Sequence, residues 1–197
     1  RAQLVALFRD LAHDDGMSVV HVTHRGAEAA AADRTITLAH GRIADAPTRL
    51  RSDDAIKAVK SRPSVRPGAP IITFAGVGHV YSRGTPWANR ALTDVDLTIR
   101  SGEAIVVVGH NGSGKSTLAW ILAGLLAPSE GTAHLDGRPI SEQVGRVGLA
   151  FQHARLQLLR PTVLDEVCAS SGVEEHAARG ALGSVGLDPV EFAHRRV

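Results

Sequence analysis

Apolar side chains at Leu4, Val5, Leu7, Phe8 and Leu11 recur at helical spacing and stop at Asp14-Asp15-Gly16, which predicts an amphipathic helix ending on glycine. Met17 to Thr23 is short, β-branched and apolar on both faces, the pattern of a buried strand in a parallel sheet. A helix followed by a buried strand predicts α/β architecture. An alanine-rich helical stretch follows at 26–32, and Arg34 to Leu38 with Gly41-Arg42-Ile43 predicts a small hairpin. Further on, Ile71 to Ala75 and Leu92 to Ile99 read as strands, the second with imperfect alternation, and Ala104 to Val108 as a fully apolar strand. A Gly-rich loop and an apolar helix occupy 109–127. Pro128, Gly131 and Gly137 punctuate short strands, Arg146 to Phe151 predicts another buried strand, and 162–197 is mostly helical.

Between these regions, residues 45–70 lack apolar periodicity and carry Pro47, Pro63, Pro67 and Pro70, which predicts a linker. Charge is close to balance, 22 basic against 20 acidic residues, so composition gives no sign of nucleic-acid binding. The longest run without charge or strong polarity, Leu118 to Ala127, is about half the ~20 residues of a membrane-crossing helix. The lone Cys168 has no partner for an internal disulfide or a zinc site, and a reducing, cytoplasmic setting is expected. The chain opens on Arg1 rather than methionine, and its start is read as a cut end.

The chemistry concentrates in Gly109-His110-Asn111-Gly112-Ser113-Gly114-Lys115-Ser116, which fits G-x-x-x-x-G-K-[ST] and is followed by Thr117. Glycines allow successive backbone N–H groups to turn inward around phosphate oxygens. Lys115 adds a positive point charge for the outer phosphates, Ser116 offers a hydroxyl to Mg²⁺, and the helix that starts here adds the positive end of its dipole. Kinases, GTPases and transport ATPases share such a loop. Tyr81, in a strand-like piece before the loop, is placed to stack on an adenine ring, and Gln152, after a predicted strand, to reach a metal-bound water. Taken alone, Tyr81 reads as a packed aromatic and Gln152 as a capping amide; it is the P-loop at these spacings that gives them the functional reading.

Ala91 to Ile140, together with Tyr81 and Gln152, resembles the opening half of the ATP-binding cassette (ABC) family. The resemblance implies a P-loop NTPase fold with an antiparallel β-subdomain. It makes Tyr81 the adenine-stacking aromatic, 109–117 the Walker A loop for ATP, and Gln152 the Q-loop residue that touches Mg²⁺ and senses a transmembrane partner. Phe151 to Val167 is similar to energy-coupling-factor importers, departing from them in Leu158-Leu159-Arg160 where an aromatic is usual. Residues 1–44 resemble the closing part of a cassette: Val22-Thr23-His24-Arg25 is similar to the switch-histidine motif, which gives His24 the role of holding the γ-phosphate and attacking water. His21 and His24 are otherwise plain strand-end histidines.

No LSGGQ-type signature occurs, nor any apolar strand ending in Asp-Glu. The expected layout is therefore two incomplete cassettes: 1–44 closes a first, 45–70 links, and 71–197 opens a second, the two pairing within the intact chain. Alone, the piece is expected to bind ATP without efficient hydrolysis. Met17 to Thr23 is expected to dock beside Ala104 to Val108. The implied function is the ATPase of an importer of a vitamin or metal ion, peripheral on the inner face of the cell membrane. Its implied partners are a transmembrane permease subunit and a substrate-binding membrane component. The rival is a soluble tandem cassette protein acting on ribosomes or DNA, against which the Pro-broken linker argues.

Overall fold

In a computed structural model of the protein, the described residues are 8, 10–14, 16–23, 32–44, 68–150 and 158–196. His24, Gln152, residues 45–67 and residues 26–31 of the alanine-rich stretch lie outside them. The chain divides into two compact units, Arg1–Leu149 and Ala150–Val197.

The first unit is organised around the most apolar strand in the sequence. Strand β6 (Ala104–Val108) is buried at every position and has a parallel neighbour on each side. Strand β1 (Val19–Thr23) lies along one edge, from Val19 opposite Ala104 to Thr23 opposite Val108, the pairing expected from the sequence. Strand β2 (Arg34–Ala39) lies along the other, from Arg34 opposite Ile105 to Thr37 opposite Val108. It then turns back into β3 (Arg42–Ile43), giving the order β1-β6-β2-β3. The hairpin was legible in the sequence; its place inside the parallel sheet was not.

Polar groups fix that placement. Asp33 N–H donates to Ala104 O at 2.9 Å, and Asp33 Oδ2 accepts from Ala104 N at 2.9 Å. Arg34 Nε sits 2.8 Å from Oε1 of the buried Glu103, and Arg34 Nη2 donates to Thr98 O. A buried carboxylate is tolerated only with such partners; Glu103 also accepts from Arg100 N at 2.9 Å.

The second sheet is antiparallel: β4 (Pro70–Tyr81), β5 (Asn89–Arg100), β7 (Glu130–Leu135) and β8 (Arg138–Pro139), in the order β5-β4-β7-β8. Pro70, expected to close the linker, instead opens β4, a first-strand position where its missing N–H removes no central ladder bond. The uneven alternation of β5 has a local cause. Asp94 adopts φ 51°, the pairing register shifts there, and Leu92 and Val95 both turn inward although they differ in parity. Between the sheets lies one core, with Leu38 from β2, Phe74 and Val77 from β4, Leu97 and Ile99 from β5, and Ile105 and Val107 from β6. Leu118, Ile121 and Leu122 of helix α1 (Lys115–Leu122) complete it.

Residues Arg146 to Ala150 form no strand and are largely exposed, contrary to expectation. An apolar run becomes a strand only when another strand satisfies its backbone groups, and among the described residues none lies beside it. Strand β1, equally apolar, is only partly buried at four of its five positions, since its second edge has no described neighbour.

The second unit is helical, as expected: α2 (Val163–Ser171), α3 (Glu175–Ser184) and α4 (Pro189–Phe192). Leu164, Ala178 and Ala193 form its small core. Thr162 caps α2 by accepting from Asp165 N at 3.2 Å, and Asp188 caps α4 by accepting from Val190 N at 2.8 Å. Glu166 Oε2 reaches back to the N–H groups of Leu159 and Arg160 at 2.7 and 2.8 Å, holding Leu159 83% exposed. No described helix is long and apolar enough to cross a membrane.

Candidate functional site

Strand β6 delivers the chain into the loop 109–114, and α1 starts at once with Lys115. Two glycines are required by close approach. A Cβ on Gly109 would stand 2.3 Å from Leu38 O, and one on Gly114, at φ 100°, would stand 2.5 Å from Ala91 O. No side chain fits there, so the loop is shaped by contact with β2 and β5. The first turn of α1 contains no acidic residue, which leaves its N-terminal dipole uncompensated.

Lys115 folds back into this loop. Its Nζ donates to Gly109 O and His110 O at 2.8 Å each and to Ser113 Oγ at 3.4 Å. Burial lowers its pKa from the ordinary lysine value. A phosphate entering the loop would take over from these neutral carbonyls and favour the charged amine. His110, Asn111, Gly112 and Ser116 are exposed at the mouth, whereas Ser113 and Thr117 are buried. The Ser116 hydroxyl makes no side-chain hydrogen bond among the described residues, so it is open to a hard cation.

Tyr81 comes to the loop from the other sheet. It ends β4, and its hydroxyl lies 3.1 Å from Thr117 Oγ1 in the first turn of α1. The structure thus brings Tyr81, Lys115, Ser116 and Thr117 to one place from two sheets. His24 and Gln152 lie outside the described residues; Thr23, which precedes His24 in the chain, is opposite Val108, which precedes Gly109. Gly41 was missed in the sequence. Its N–H donates to Ser113 O at 3.1 Å, and its carbonyl accepts from Thr93 N at 2.8 Å, so the β2–β3 turn supports the loop directly. A His-Gly turn in a short hairpin was the available signal, but nothing local told which surface that turn would meet.

Residues 92–197 match the ABC transporter family. The chain belongs to the ABC transporter family. Its fold is that of ABC ATPase cassettes, an α/β P-loop NTPase with an antiparallel sheet. The cassette cbiO1 of Clostridium perfringens, part of the transporter complex cbiONQ, superposes with a TM-score of 0.53 at 27% identity, over 64% of this chain and 54% of that one. The cassette MJ0796, seen as a dimer bound to ADP and Pi, gives 0.53 at 26% identity, over 64% and 61%. In sequence this ABC chain is 43% identical over 200 residues to the uncharacterized ABC transporter ATP-binding protein Rv2326c of Mycobacterium tuberculosis, covering 99% of the chain and 28% of the relative. It is 39% identical over 132 residues to the energy-coupling factor transporter ATP-binding protein EcfA2 of Symbiobacterium thermophilum, covering 60% and 46%. The chain thus spans little more than a quarter of its mycobacterial relative and under half of that EcfA2 protein.

Proposed function

We propose that this chain is part of the ATP-binding and ATP-hydrolysing component of an importer of the energy-coupling-factor type. The observation that carries the reading is the loop 109–114 with Lys115 turned into it, at the junction of a fully buried strand and an uncompensated helix N-terminus. EcfA2 relatives and the cbiO1 neighbour support the importer type. On this reading, loop N–H groups and Lys115 bind the β- and γ-phosphates of the second cassette's nucleotide, with Thr117 and Tyr81 toward its nucleoside, whereas His24 holds the γ-phosphate and the attacking water of the first cassette's nucleotide. Ser116 and Gln152 hold Mg²⁺, whose chemistry is to neutralise charge on the transferring phosphate; the open hydroxyl of Ser116 fits that cation.

We assign residues 1–44 to the close of one cassette, 45–70 to a linker and 71–197 to the opening of a second, paired within the whole protein. Its partners are then a transmembrane permease subunit and a substrate-binding membrane component, and it works at the inner face of the membrane. The exposed Leu159, with its backbone pinned by Glu166, supports contact with the permease through the segment after Gln152. The test is affinity purification of the full-length protein from detergent-solubilised membranes, with a Lys115→Ala variant beside it. Co-purification of a membrane subunit and Lys115-dependent ATP binding are expected; recovery with ribosomes instead would favour the soluble tandem reading.

A further inference from the structure

Beyond the loop itself, the molecule carries a buried histidine that the phosphate site does not use. His79 is 7% exposed and lies two residues before Tyr81 on β4. Its ring meets the Tyr81 ring edge to face, with centroids 4.6 Å apart and planes at 73°. Its Nδ1 is 3.1 Å from Ala127 O and 3.3 Å from Ser129 Oγ. A carbonyl only accepts, so Nδ1 carries the proton and donates it. Ser129 in turn accepts from Val80 N at 3.1 Å through its hydroxyl and donates its own N–H to Gly78 O at 2.8 Å. The imidazole is therefore fixed by the segment between α1 and β7.

Resting on nucleotide binding at the Lys115 loop, we propose that His79 is a positioning residue that fixes Tyr81 as the platform for the base of an adenine nucleotide. Tyr81 is then held at both ends, the ring by His79 and the hydroxyl by Thr117. A phenol at the end of a strand would otherwise sample several rotamers, and stacking would have to order it; here the order exists beforehand. An edge-to-face contact engages at most one face of the tyrosine and leaves the other for a flat base. The consequence is a division of labour. The loop and Lys115 recognise any polyphosphate, and the His79–Tyr81 pair adds the affinity that depends on the base.

Calorimetric titration of the full-length protein with ATP and with inorganic tripolyphosphate separates the two. His79→Gln keeps a donor for Ala127 O and removes the ring. It is expected to weaken ATP binding about 5-fold while tripolyphosphate stays within about 2-fold. His79→Phe restores the ring and should return ATP affinity to within about 2-fold of the parent. In a Tyr81→Ala background, His79→Gln should have no further effect on ATP. Equal loss of both ligands, or ATP binding unchanged in His79→Gln, overturns the proposal. Lys115→Ala marks the other failure: a variant that keeps tripolyphosphate affinity refutes the phosphate site itself, whatever His79 does.

Discussion

The two ends of the proposed nucleotide site are built by different means. At the phosphate end the backbone does the work: Gly109 and Gly114 lie so close to Leu38 O and Ala91 O that no side chain fits, and Gly41 N–H holds Ser113 O. At the base end side chains do it, through the Tyr81–Thr117 and His79–Tyr81 contacts. A backbone cradle is rigid and has no substitutes, whereas a side-chain brace can be weakened by degrees. Substitutions at the first end should therefore act as losses, and those at the second as adjustments.

The largest effect belongs to Lys115→Ala, expected to cost about 100-fold or more in ATP affinity by calorimetry while leaving the melting curve close to the parent's. An ATP affinity unchanged by it would erase the comparison. Gly109→Val drives a Cβ to within 2.3 Å of Leu38 O; a loss of about 2–4 kcal/mol in urea unfolding is expected, since backbone must shift. Glu103→Ala leaves Arg34 without its carboxylate and Arg100 N without its acceptor, and should lower stability by about 1–3 kcal/mol. Tyr81→Phe retains the stacking ring and loses only the bond to Thr117, so ATP binding should weaken about 2- to 3-fold without change in tripolyphosphate binding.

The smallest effect concerns the exposed pair Arg90 and Glu130, joined at 2.7 and 2.8 Å. The bond to Arg90 holds the Glu130 carboxyl below the usual carboxylate range. A lowered folded pKa contributes stability above the unfolded value of about 4.3, and that contribution fades as pH falls through the lowered one. The melting temperatures of the parent and Glu130→Gln should accordingly differ slightly at neutral pH and converge on acidification.

The same contrast explains which features could be read from the amino acids. The P-loop was readable because its shape follows from glycines and a helix start within nine residues, Gly109 to Thr117. Strand β6 was readable because AIVVV suits only a strand buried on both faces. Arg146 to Phe151 has a comparable apolar character and misled: its described part, Arg146 to Ala150, joins neither sheet. Periodicity describes faces and is silent about edges. The parity break of β5 showed in the sequence as poor alternation, but Asp94 at φ 51° was needed to interpret it. Tyr81 was picked out as an aromatic near the loop, yet neither Thr117 nor His79 could be named as what holds it.

By itself, then, the sequence determined the phosphate loop, the apolar strand before it, the helix after it and the α/β class, because each depends on groups adjacent in the chain. Only the tertiary structure decided that 32–44 lines the loop of a segment more than sixty residues away, with Asp33 on Ala104 and Gly41 on Ser113. It alone decided that His79 reaches Tyr81 and that Tyr81 reaches Thr117. Those contacts depend on which strands meet, and strand pairing is settled by the burial and hydrogen bonding of the whole sheet, a sum that no short stretch of residues contains.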